Sequence, residues 1–147
     1  MALDDIYKEV ILDHYKNPRN KREVAGAELT CSKNNPLCGD EITVFLDVRG
    51  EGDDATVQDV KVSGQGCSIS QSSASMMSAA VKGKSVAEVR ALVRKFKGLM
   101  SIETDDDAPF ADVPLGDLEA LQGVVKFPVR IKCATLAWNT LIEALDA

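Results

Sequence analysis

Asp40-Glu41-Ile42-Thr43-Val44-Phe45-Leu46-Asp47-Val48-Arg49 sets Ile42, Val44, Leu46 and Val48 at every second position, the period of a strand with one buried face. Behind it, Gly50-Glu51-Gly52-Asp53-Asp54 reads as a polar turn, and Val57, Val60 and Val62 mark another strand. Their spacing is three and then two, which calls for a bulge. Ahead of it, Ala27, Leu29 and Cys31 alternate over a shorter run. Three successive strands on short connections predict an antiparallel meander with one covered face.

The flanking sequence supplies the cover. Leu3, Ile6, Tyr7, Val10 and Ile11 follow a helical period, with Asp4 and Asp5 at the N-terminal end and Asn17-Pro18 as the stop. His14 continues that stripe and reads as a packing residue. After the strands, Ile69, Ser73, Met76, Ala80 and Val81 share one helical face that Gly83 ends. Ser85-Val86-Ala87-Glu88 has the form of a capping box before Val89, Val93, Phe96 and Met100. A last helix is expected from about Pro128, with Val129, Cys133, Leu136, Ala137, Thr140, Leu141 and Ala144 along it and Trp138 in the core or an interface. Between them, Ser101–Gly123 is weakly patterned: Thr104–Pro109 reads as a solvated acidic loop, and Asp117–Leu121 as one or two helical turns.

A chain of 147 residues with 45% hydrophobic content suits a single domain with one core. Lys and Arg total 17 against 23 Asp and Glu, and the formal charge of -6 argues against a general nucleic-acid binder, which needs a basic face. Apolar runs fall short of the roughly 20 residues a membrane span requires. Met1–Tyr7 has no basic flank before an apolar stretch, so no signal peptide is read there and a cytoplasmic location is expected. In that compartment the four cysteines, Cys31, Cys38, Cys67 and Cys133, are expected to be thiols or metal ligands rather than disulfides. A single histidine excludes a site built on several imidazoles.

Three segments carry the chemistry: Asn35-Pro36-Leu37-Cys38-Gly39-Asp40, Gly64-Gln65-Gly66-Cys67-Ser68-Ile69-Ser70 and Arg130-Ile131-Lys132-Cys133-Ala134. Each sets a cysteine at a junction between elements. Cys67 and Cys133 fall near helix starts, where a thiolate is favoured. Gly39, Gly64 and Gly66 leave room for a metal or another chain to approach. Cys38 and Asp40, two apart in an extended segment, could face one ion together. Three thiolates and a carboxylate suit tetrahedral Zn²⁺, and thiolate-rich ligation equally fits an iron–sulfur cluster. Without a CxxC pair, three unconnected cysteines remain the alternative. Cys31, inside an alternating strand with no glycine or acidic companion, reads as structural.

These three segments, in this order, resemble the iron–sulfur assembly family that contains IscU and SufU, the NifU N-terminal-like proteins. The likeness spans nearly the whole chain, from Tyr7 and Asn17-Pro18 to the last helix. Scaffold-type members carry a histidine immediately before the third cysteine, where this chain has Lys132, and a shorter path between the second and third cysteines. Arg130-Ile131-Lys132-Cys133 and the extra segment around 97–123 instead resemble the SufU form.

The resemblance implies one IscU/SufU-like domain over 1–147, an α+β fold with a small three-stranded antiparallel sheet and helices packed on it. It further implies Zn²⁺ held by Cys38, Asp40, Cys67 and Cys133, and sulfurtransferase activity. The partner would be a pyridoxal-phosphate cysteine desulfurase of the SufS type, with Cys38 accepting persulfide sulfur and a downstream iron–sulfur scaffold receiving it. A desulfurase histidine would displace a zinc ligand and free Cys38, and Arg130 would stabilise negative charge or anchor the partner. The rival expectation is a scaffold carrying a labile [2Fe–2S] cluster on the same ligands. A zinc domain that only mediates contacts fits less well, because closed structural sites favour Cys and His over carboxylate.

Overall fold

Alternation along the central strand fixes which way the sheet faces. In a computed structural model, which describes residues 3–22, 29–35, 39–100, 118, 120, 121, 123, 124 and 127–146, that strand (β2) runs Asp40–Arg49. Ile42, Val44 and Leu46 are buried, while Glu41 and Asp47 are exposed. β1 (Leu29–Asn35) and β3 (Thr56–Gln65) flank it in the order β1-β2-β3, antiparallel throughout. The bulge expected from the valine spacing is present. Asp47 pairs with Asp59 but Val48 pairs with Val57, so Gln58 has no opposite residue. That extra residue lets Val57 and Val60, three apart, both reach the core at 0% exposure.

Among the described residues there are four α-helices, α1 (Leu3–Lys16), α2 (Ser68–Val81), α3 (Val86–Leu99) and α4 (Pro128–Leu145); α2 and α4 lie against the strands, and α1 packs on α2. The capping box is formed, with Ser85 Oγ accepting from the Glu88 N–H and the Glu88 carboxylate accepting from the Ser85 N–H. Gly83, at φ +85°, ends the run after α2, and its N–H donates to Val57 O at 2.7 Å. α2 is buried beyond the single face that its apolar residues suggest. Ser70, Ser72, Ser73, Ser75 and Ser78 are buried too. They can be, because Ser72 donates to Ser68 O, Ser73 to Ala134 O and Ser78 to Ser75 O.

α1 is fixed to α2 by His14, which is buried, with Nδ1 2.8 Å from Ser75 Oγ. The Arg19 N–H donates to the same hydroxyl at 2.8 Å. His14 is thus the packing residue expected from its stripe. Trp138 on α4 is fully buried, stacked on Phe96 of α3 with ring centroids 4.5 Å apart, and its Nε1–H donates to Ser73 Oγ at 3.1 Å.

The acidic loop of residues 104–109 lies outside the described residues, as does most of the extra segment around 97–123. Within that segment Leu118, Ala120 and Leu121 are described. They are buried in the main core, in 3-10 turns where short helical turns were expected. Among the described residues no helix is long and apolar enough to cross a membrane.

Candidate metal centre

The site forms where β2 begins, α2 begins and α4 passes close to both. Asp40 is the first residue of β2, Cys67 is the N-cap of α2, and Cys133 lies on α4. One ligand atom from each lies within 4.8 Å of the other two. Asp40 is 1% exposed and Cys133 0%, whereas Cys67 is half-buried on the open side. Cys38 lies outside the described residues; it is joined to Asp40 through Gly39 alone.

Asp40 is held by backbone. The Cys67 N–H donates to Asp40 Oδ1 at 2.8 Å, while Oδ2 lies 3.8 Å from Cys67 Sγ. Gly66 makes that approach possible. A Cβ there would stand 2.3 Å from Asp40 Oδ1 and 2.9 Å from Asp40 Cα. The room expected around the glycines is therefore used by the chain itself: Gly66 admits Asp40, and Gly64 admits the carbonyl of Glu41. The space beside Gly39 is open.

The two thiols sit differently. Cys67 Sγ accepts from the Ser70 N–H at 3.5 Å, at the start of α2. Cys133 is a full turn inside α4, which begins at Pro128, and the helix field has faded there. Its sulfur instead accepts from Asn35 Nδ2 at 3.9 Å. Asn35 ends β1, heads the segment that carries Cys38 and Asp40, and stands directly opposite Asp40 in the hairpin, but nothing in the sequence pattern pairs it with Cys133.

Arg130 is exposed and shares with Cys67 the lining of a groove of about 750 Å³, together with Lys8, Ile69, Val124 and Phe127. The groove is mainly apolar with cationic side chains among its lining, and it opens beside the exposed edge of the metal centre. Cys31 stands apart from the site. Its Sγ–H donates to Glu143 Oε2 at 3.3 Å, and Glu143 Oε1 accepts from Lys33 Nζ at 2.6 Å. Burial, followed by that hydrogen bond and the Glu143 charge, pushes the Cys31 thiol up, with Lys33 partly opposing.

Two sulfurs and a carboxylate within one ion's reach, with an open side, form a donor set for a thiophilic divalent cation. Residues 6–146 match the family described as NifU-like N terminal domain, and the chain belongs to that family. Within it, the chain is 48% identical over 139 residues to the zinc-dependent sulfurtransferase SufU of Bacillus subtilis (strain 168), covering 95% of this chain and 88% of the relative. It is 41% identical over 143 residues to the iron–sulfur cluster assembly scaffold protein IscU of Streptococcus pyogenes serotype M1, covering 97% and 84%. A crystal structure from Fervidobacterium islandicum AW-1, described as a candidate iron–sulfur cluster assembly scaffold for the SUF system, superposes with a TM-score of 0.74. It shares 28% identity, over 98% of this chain and 99% of that one. The three-stranded antiparallel sheet with packed helices is thus the fold expected from the sequence.

Proposed function

We propose that this protein is a zinc-dependent sulfurtransferase of iron–sulfur cluster assembly, taking persulfide sulfur from a pyridoxal-phosphate cysteine desulfurase onto Cys38 and stimulating that enzyme's turnover. The observation that carries the reading is the convergence of Asp40, Cys67 and Cys133 within 4.8 Å, with Cys38 two residues from Asp40 as the fourth donor. The 48% identity to a protein named for zinc and sulfur transfer supports it.

Zn²⁺ held by Cys38, Asp40, Cys67 and Cys133 would keep the thiols deprotonated near neutral pH while damping their nucleophilicity. The chain's own residues do the rest. Asp40, oriented by the Cys67 N–H, offers a hard carboxylate oxygen on the floor of the site. Cys133, fully buried, anchors the inner corner. In the transfer itself the Cys38 thiolate attacks the outer sulfur of the partner's persulfide. A new S–S bond forms at Cys38 as the old one breaks, and the electron pair leaves on the desulfurase cysteine. The product is a Cys38 persulfide, ready for a downstream scaffold. Arg130, on the groove next to Cys67, is placed to meet negative charge on the partner or at the transferred sulfur.

A second reading, a scaffold for a labile [2Fe–2S] cluster on the same four residues, draws on the 41% identity to a protein named as a scaffold. Metal content of the isolated protein and desulfurase turnover with and without it separate the two. One tightly held Zn²⁺ and a large rise in turnover support transfer. Iron with acid-labile sulfide, and no effect of the zinc form on turnover, supports the scaffold. A cytoplasmic setting, with neither nucleic acid nor membrane among the partners, belongs to both readings.

A further inference from the structure

Cys31, Lys33 and Asn35 share one face of β1, and that face lies against α4. Toward the C-terminal end of the helix, Cys31 and Lys33 meet Glu143. Toward its start, Asn35 Nδ2 donates to Cys133 Sγ at 3.9 Å. Both members of this second pair are buried, Asn35 at 7% exposure and Cys133 at 0%.

A buried primary amide is costly unless its N–H groups find acceptors, whereas an apolar side chain at the end of β1 would be buried without that cost. One acceptor here is a sulfur that borders the candidate metal centre. It sits past the first turn of its own helix, beyond the reach of the helix field. On the other side of the hairpin, Asn35 is the direct partner of Asp40. One residue therefore ties together the strand end that carries the carboxylate and the helix that carries the inner thiol.

The geometry points to Asn35 as a positioning residue of the metal centre, its amide N–H fixing the Cys133 sulfur toward Asp40 and Cys67 and drawing electron density from that sulfur. This rests on the reading of Asp40, Cys67 and Cys133 as metal ligands. It makes the two thiols unequal. Cys133 is held from behind by a side-chain amide from another element, whereas Cys67 takes the Ser70 N–H of its own helix and lines the groove.

Cobalt substitution of the full-length protein tests this, because a thiolate bound to Co²⁺ gives a charge-transfer band whose energy reports donation to the sulfur. The wild type is expected to show the band. Asn35→Leu, similar in volume and lacking the donor, should shift it to lower energy and weaken Zn²⁺ binding in a chelator competition by about 10- to 100-fold. Asn35→Ser, too short to reach the sulfur, should give the same shift and stands in if the leucine variant misfolds. A lowered melting temperature with an unmoved band would mean that Asn35 only packs the hairpin, and would overturn the inference. A wild type that binds Co²⁺ without any thiolate band would overturn the metal-centre reading, and this one with it.

Discussion

The Cys67 backbone N–H donates to Asp40 Oδ1 at 2.8 Å, joining residues 27 positions apart. This bond couples the start of β2 to the start of α2 before any ion is involved. It also leaves the second carboxylate oxygen on the side of the Cys67 sulfur. In the candidate metal centre the carboxylate is therefore oriented by backbone, and the weak point is the glycine that lets the two segments meet.

Gly66→Ala should accordingly damage the site more than the fold. Its Cβ would fall 2.3 Å from Asp40 Oδ1, so the carboxylate must move away from the ligand position. Zn²⁺ affinity measured against a chelator is expected to fall by about 10- to 100-fold, with near-native circular dichroism. Asp40→Ala should likewise keep the fold and loosen the ion. Unchanged affinity in both variants would remove Asp40 from the ligand set.

Cys38→Ala is expected to abolish stimulation of the desulfurase. In the proposed function the substitution takes away both the sulfur acceptor and one of four donors. Mass spectrometry of the wild type after a single turnover should place one added sulfur at residue 38. Full stimulation by the alanine variant would rule out Cys38 as the acceptor.

Cys31 should react slowly with iodoacetamide, since its thiol is pushed up by burial and by Glu143 and less of it is thiolate at pH 8 than for an ordinary cysteine. Glu143→Gln removes the opposing charge, so the pH midpoint of alkylation should move down and the rate at pH 8 should rise. Lys33→Ala removes the cation that opposes Glu143 and should move the midpoint up. Shifts in the same direction from both variants would indicate loosening of the strand rather than electrostatics. Cys31→Ser should leave sulfur transfer near normal.

Phe96→Ala should cost about 3–5 kcal/mol in urea unfolding followed by circular dichroism. Phe96 is fully buried, and it is the ring on which Trp138 stacks. A cost below about 1 kcal/mol would mean that α3 can close over the gap, as some cores do.

Local signals carried most of the fold. The limits of β2, the capping box at Ser85, the bulge near Val57 and the start of α4 at Pro128 all follow from residues close in sequence. The convergence of Asp40, Cys67 and Cys133 was not local: the residues alone left three unconnected cysteines as an alternative, and the shared site was implied by the family resemblance of the three segments. The contacts that sequence did not yield are those between elements. Glu143 meets Cys31 across 112 positions, and Asn35 meets Cys133 across 98. Neither pairing has a periodic trace, since each depends on how α4 is laid across the sheet. The buried serines of α2 escaped notice for a related reason. A hydroxyl reads as polar until a carbonyl above it in the helix, or in the next one, accepts its proton.

Trp138 is the only tryptophan in the chain, and its indole N–H reaches across to Ser73 on α2 from the helix that bears Cys133. The two helices joined at that bond are the ones that carry Cys67 and Cys133 to the metal centre. The one indole of the chain therefore lies at the seam between the two helices. If the proposed ion draws those helices together, Trp138 emission should change on Zn²⁺ addition, without a label and without the partner enzyme; unchanged emission would mean that the seam does not move.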